Sequence, residues 1–290
     1  MEATVEESVS GRRGELRPQS LMLALLGEYV LDTSTSVFSG SFIRVFARAG
    51  ISEQATRSTL GRMVRRDLLR RRRVGRRMYF GLTDRCEGLL RDGGRRVWEL
   101  GVTNESAETE WTLIGFSLSE DQRRQRHALR TRLTWAGFGM LHGGLWLGPS
   151  RVGVEDILAE LGLNDEVKVF AARPVPPTDI GELVREAYDL GAIAERYRGF
   201  LDRWSGVAPG GARDPLVWHL WLTADWLSTI REDPRLPLRL LPADWPADAA
   251  QGVFRSLHAR WQAGAAEEAA AVLDTISTEP IVRQGIDDGR

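Results

Sequence analysis

The chain of 290 residues is 42% hydrophobic and 27% charged, a globular composition that suffices for about two or three domains and excludes a disordered or disulfide-stapled module. Cys86 is the single cysteine, so no internal bridge can form and a reducing cytoplasm is the expected location. The net charge of −1 conceals a division: residues 21–100 hold 16 arginines against 8 acidic residues, whereas residues 101–290 hold 20 basic and 28 acidic ones.

Met1 to Gly11 carries no apolar core, and no run reaches the roughly 20 apolar residues of a membrane helix, so neither export nor a membrane partner is expected. Pro18 and Ser20 open a first helix, in which Leu21, Met22, Leu25, Leu26, Tyr29 and Val30 form one apolar stripe. Thr33 to Ser36 is a polar break. Phe42, Val45, Phe46 and Ala49 then define a short second helix that stops at Gly50, a residue suited to a left-handed turn. Ser52 is placed as an N-cap and Glu53 puts negative charge in the first turn of a third helix. That helix turns Thr56, Leu60, Met63 and Val64 inward and carries Gln54, Arg57, Ser58, Gly61, Arg62 and Arg65 on its other face. Two helices joined through Gly50, the second faced with Arg, Gln and Ser, make the arrangement that enters a major groove. There arginine bridges guanine O6 and N7, and glutamine pairs with adenine N6 and N7.

Leu68 to Arg73, a Val74-Gly75-Arg76 turn and Met78 to Leu82 read as a two-stranded wing, with Met78, Phe80 and Leu82 alternating inward. Arg71, Arg72, Arg73, Arg76 and Arg77 would stand at its tip, spaced for phosphates or a minor groove. Thr83 and Asp84 cap a further helix toward Leu90. Alone, the run Arg70 to Arg73 reads as a solvated strand edge. Combined with the helix-turn-helix spacing, the glycine turn and a local charge of +8, it points to double-stranded DNA. The expected contacts are Gln54, Arg57, Ser58, Arg62, Arg65, Arg72, Arg73, Arg76 and Arg77, in a winged helix-turn-helix domain spanning residues 18–100.

Gly101 to Glu110 is polar and acidic and reads as a linker. Trp111 to Leu118 is apolar on nearly both faces, as in a central strand. Ser119 with Gln122 forms a capping box for a helix through Leu129 and Leu133 that stops at Gly137. Phe138 to Leu141 and Leu145 to Leu147 read as strands joined at His142-Gly143-Gly144. A helix from Val154 to Leu161 ends at Gly162, and Val167 to Ala171 alternates again. This order is the βαββαβ unit of a ferredoxin-like domain, expected over residues 108–175. After Pro174 to Pro177, helices are expected over Ile180 to Leu201, Leu216 to Ile230 and Ala249 to about Leu273, an all-helical domain over residues 178–275. From Thr275 onward the chain reads as frayed. The fold class is therefore α+β and multidomain.

Trp218, Trp221, Leu222 and Trp226 form an aromatic stripe that reads first as core and second as a pocket for an aromatic effector, with Trp218, His219 and Trp221 as its candidate residues. His127, His142, His219 and His258 are scattered, and none has a second ligand three or four residues away, so no metal is expected. There is no Walker loop and no G-x-G-x-x-G, no cofactor is expected, and Cys86 reads as a structural thiol. No residue suggests catalysis. The alternative function weighed is an acyl-CoA- or RNA-processing enzyme using the winged helix as a docking module.

Leu21 to Thr83, with A-x-R-x-x-L-x-R-M at Ala55 to Met63 and R-R-R-V-G-R-R at Arg71 to Arg77, resembles the DNA-binding domain of the PaaX-type repressors of phenylacetic acid catabolism. Trp111 to Pro149, with R-x-x-L-x-W-A-G-F-G-M-L and a closing G-L-W-L-G-P, resembles the family's central domain, similar in fold to a CRISPR-associated nuclease. Asp233 to Pro246, D-P-R-L-P-L-R-L-L-P-A-D-W-P, resembles its C-terminal signature, departing at Ala247 where glycine is the family residue. The resemblance covers roughly Ser20 to Leu273. It implies a homodimeric repressor on an inverted-repeat operator, released by an acyl-CoA effector such as phenylacetyl-CoA. Nuclease activity is not implied, because the first strand ends Phe116-Ser117-Leu118 where the nuclease carries an aspartate.

Overall fold

The computed structural model describes residues 17–102, 104, 110–149, 153–207 and 214–278. The expectations for Met1 to Gly11, for most of the 101–110 linker and for the end of the tail lie outside the described residues. The fold is mixed α+β with two four-stranded sheets, antiparallel throughout. Contacts divide the chain into two compact units, residues 1–99, 207–225 and 255–290 in one and residues 100–206 and 226–254 in the other.

In the first unit, α1 (Pro18–Tyr29) starts with proline, whose missing N–H is no loss in a first turn. Its stripe of Leu21, Met22, Leu25 and Leu26 is fully buried, each leucine contributing about 1.5–3 kcal/mol of burial. The polar break expected at Thr33 to Ser36 is corrected, because Thr35–Phe38 is strand β1. Its pairing is close: a Cβ on Gly81 would lie 2.5 Å from Ser36 Oγ, so glycine is what lets Ser36 face position 81. Next come α2 (Ser39–Arg48), which buries Phe42, Val45 and Phe46, and α3 (Glu53–Arg65). Between them Gly50 takes the left-handed conformation at φ +79°, as its position after α2 requires.

Strands β2 (Leu69–Val74) and β3 (Arg77–Leu82) follow, then α4 (Asp84–Arg95), capped by the Thr83 hydroxyl accepting from Cys86 N at 3.2 Å. Phe80 and Leu82 are buried and Met78 half-buried, as expected, but the alternation with an outward Tyr79 is corrected. Tyr79 and Phe80 are both buried, because β3 is an inner strand and Phe38 packs against Tyr79 with ring centres 5.7 Å apart. The sheet order is β2-β3-β1-β8, where β8 is Thr275–Ser277. Thus the frayed end expected from Thr275 is instead a strand, fastened by Phe38 N to Asp274 O and Thr278 N to Ser34 O, each 2.8 Å. Helices α9 (Pro215–Ile230) and α10 (Ala247–Val272) contribute to this unit up to Asp225 and from Arg255.

In the second unit β4 (Trp111–Phe116) is a central strand of a sheet ordered β5-β6-β4-β7. The capping box of Ser119 and Gln122 precedes α5 (Arg123–Trp135), and Gly137 at φ +88° ends it. Strand β5 is only Gly139–Met140, and β6 is Leu145–Pro149. Helix α6 (Glu155–Leu161) ends at left-handed Gly162. Ile114, Leu129, Leu133, Phe138, Trp146 and Leu158 form the core against these helices. Strand β7 (Val167–Ala172) does not alternate as expected: lying at a sheet edge, it leaves Val169 and Phe170 exposed. The single helix expected over Ile180 to Leu201 is two, α7 (Ile180–Ala187) and α8 (Leu190–Trp204). The break has a cause: the Tyr188 hydroxyl reaches Leu147 O at 2.6 Å and Gly137 O at 3.0 Å, holding its backbone extended. Asp189 then caps the next helix through Ala192 N at 2.9 Å.

Candidate nucleic-acid interface

Helix α3 is built to show one face. The Ser52 hydroxyl accepts from Ala55 N at 3.2 Å, and Thr56 and Thr59 donate to the carbonyls of Ser52 and Ala55 at 3.1 and 2.8 Å. Both threonines therefore bury beside Leu60 and Met63 without an unmet hydroxyl. The opposite face leaves Gln54, Arg57, Ser58 and Arg65 exposed, with Arg62 partly so. Glu53, Gln54, Arg57 and Ser58 line an open depression there. Arg57 Nε lies 2.7 Å from Glu53 Oε1. Arg62 lies along the helix, donating to Ser58 Oγ and Thr59 Oγ1, both at 2.8 Å.

Asp67, at φ +54°, turns the chain out of α3 into the hairpin. Val74 faces Arg77, so Gly75 and Arg76 form a two-residue turn, with Gly75 at φ +58° in the position that such turns reserve for glycine. Arg71, Arg72, Arg73, Arg76 and Arg77 are all exposed. Their surroundings differ. Arg73 Nε donates to Gly75 O at 3.0 Å, Arg72 reaches Ser277 O at 3.5 Å, and Arg77 binds Asp274 at 2.6 Å and lies over the Phe38 ring. Arg65, Arg71 and Arg76 have no acidic partner among the described residues. Arg70, part of the arginine run but outside the expected contact set, donates to Leu82 O at 2.6 Å.

The candidate effector residues are interior. Trp218, His219 and Trp221 are at most 8% exposed, and Trp218 packs on Trp261 with centres 5.8 Å apart. His219 bonds Tyr29 and packs on His258, and both histidines adjoin Glu28. Burial, with His258 nearby, pushes the His219 ring down to about 4, so it is neutral near pH 7. Sequence spacing missed this cluster, because its members are 191 and 39 positions apart along the chain; the available signal was a histidine beside a leucine on each of two long helices. Cys86 is fully buried and its thiol is pushed up to about 11 by burial, an inert environment. Among the described residues no helix is long and apolar enough to cross a membrane.

Residues 17–86 match the description "PaaX-like protein", residues 104–184 "PaaX protein central Cas2-like domain", and residues 188–271 "PaaX-like protein C-terminal domain". The chain belongs to the PaaX family. The first PaaX segment contains α3 and the whole basic hairpin, the central one contains the second sheet, and the last one carries Trp218, His219 and His258. A relative described as "Transcriptional repressor PaaX", from Escherichia coli (strain K12), is 26% identical over 255 residues, covering 83% of this chain and 79% of the relative. The solved structure of "Uncharacterized protein Rv0674 from Mycobacterium tuberculosis" has a TM-score of 0.54 at 24% identity, over 89% of this chain and 99% of that one. It shares the fold of this PaaX-family member.

Proposed function

We propose that this chain is a sequence-specific DNA-binding transcriptional regulator, a repressor released by an aromatic acyl-CoA such as phenylacetyl-CoA. The observation that carries the reading is the exposed Arg/Gln/Ser face of α3 next in sequence to a glycine-turned arginine hairpin, within the PaaX-like segment. The repressor named among its relatives supports the same conclusion. In this reading residues 18–100 are a winged helix-turn-helix. Residues 108–175 are a ferredoxin-like domain, for which the strand order β7-β4-β6-β5 is support, and residues 178–275 are the helical part. Gln54, Arg57, Ser58, Arg62 and Arg65 meet base edges and nearby phosphates in the major groove, while Arg72, Arg73, Arg76 and Arg77 hold the backbone.

The protein acts as a cytoplasmic homodimer, without catalysis. Two α3 helices about 34 Å apart read an inverted repeat with half-sites one helical turn apart. The effector favours a dimer geometry with the wrong spacing, and a coupling of about 1–3 kcal/mol lowers occupancy by one to two orders of magnitude. The test is a gel shift on the DNA upstream of the protein's own coding region, repeated with a panel of CoA thioesters. The expected result is a salt-sensitive complex dissolved by an aromatic acyl-CoA but not by free CoA. Absence of a complex at low salt, or equal affinity for random DNA, overturns the reading.

A further inference from the structure

Glu28 on α1, His219 on α9 and His258 on α10 belong to one compact unit and each offers a donor atom, all within 4.8 Å of one another. His219 is fully buried and His258 only 4% exposed. Nδ1 of His219 is taken by the Tyr29 hydroxyl at 2.9 Å, while its Nε2 is buried without a hydrogen-bond partner. A buried ring nitrogen left bare is costly and uncommon. His258 Nε2 stands 3.3 Å from Glu28 Oε1, long for a hydrogen bond to a carboxylate. It is, however, the edge of a tetrahedron whose centre lies about 2.0–2.1 Å from each ligand.

From this geometry we infer that Glu28, His219 and His258 form a site for a divalent transition-metal ion of the zinc type. Two imidazoles and one carboxylate select such an ion over magnesium or calcium, which take oxygen ligands. Three protein ligands leave a fourth position for water. The surroundings fit this role. With Nδ1 of His219 donating to the Tyr29 oxygen 2.9 Å away, the tautomer that a metal at Nε2 requires, Tyr29 gives the usual outer support of a ligating histidine. The Trp98 ring meets His258 edge to face with centres 4.6 Å apart and fixes its orientation. The ion ties the two C-terminal helices to α1, the helix that precedes the arginine-bearing elements. It needs no ligand beyond these three side chains and water, and it stands whether or not the DNA reading holds.

The test uses the full-length protein, stripped with a chelator, dialysed and titrated with zinc against a chromophoric competitor, with bound metal counted by mass spectrometry. Wild type is expected to take up one zinc per chain and to melt at a higher temperature with it. Cobalt in its place should give the visible bands of a four-coordinate site. Glu28→Gln keeps the side chain's size, and Tyr29→Phe keeps all three ligands, so both remain informative if His219→Gln does not fold. Tyr29→Phe is expected to weaken zinc about 10- to 100-fold, and Glu28→Gln to abolish the cobalt bands. No saturable uptake by wild type, or wild-type affinity in a folded Glu28→Gln, His258→Gln double variant, overturns the assignment and leaves a buried histidine–carboxylate pair.

Discussion

The Arg77 guanidinium lies 2.6 Å from the Asp274 carboxylate, 197 positions away, so the second strand of the basic hairpin is fastened to the segment that closes its sheet. Exposed pairs of this kind contribute little, because water and salt screen them. Asp274→Asn is therefore expected to lower stability only slightly. Ending the chain at Leu273 also removes the β8 ladder and opens the edge of β1, so it should cost more. Urea denaturation of the two variants measures the difference, and equal losses would mean that β8 contributes nothing.

Arg57 sits on the exposed face of α3 with Glu53 as its neighbour. Arg57→Ala is expected to cost about 1–3 kcal/mol on the operator and to relax preference at one base position. Glu53→Gln should act the other way on all DNA, because it frees Arg57 and removes a negative charge from the proposed DNA-facing side of α3. Equal loss on operator and random DNA for Arg57→Ala would remove it from base reading.

Arg76, at the hairpin turn and without an acidic partner among the described residues, should behave as a phosphate contact. Arg76→Ala is expected to weaken all sequences alike and to reduce the slope of log affinity against log salt by about one. Titrations at several salt concentrations read this directly, and an unchanged slope would place the wing away from the backbone.

Cys86 gives the pH dependence its sign. Its thiol is pushed from 9.0 to about 11 by burial, so above pH 9 the unfolded chain loses a proton that the folded one keeps. The stabilisation is complete below pH 9 and is lost as pH rises toward 11. Cys86→Ala should flatten that part of the stability curve. Thiol reagents should also leave the native protein untouched at pH 8 and label it after unfolding.

Much of the hairpin and of α3 is legible in the sequence because their signals are local. A cap at Ser52, left-handed glycines at Gly50 and Gly75 and helical spacing of Phe42, Val45 and Phe46 all act within a few residues. The misread elements are those whose conformation is set from outside. Thr35 and Ser36 read as a polar break, yet Gly81 leaves room for them to pair as strand. Tyr188 and Asp189 continue a helical pattern, yet the carbonyls of Gly137 and Leu147 hold the tyrosine and break it.

The charge division, the identity of the exposed α3 residues and the position of the hairpin turn are all legible in short stretches of sequence. Capping, turn geometry and amphipathic spacing are properties of short segments. That Thr275–Ser277 completes the first sheet, that Arg77 is held by Asp274, and that Glu28, His219 and His258 meet is settled by the folded chain. Each of those depends on bringing distant segments together, and because a strand edge without a ladder or a buried ring nitrogen without a partner is costly, partners are drawn from the whole chain.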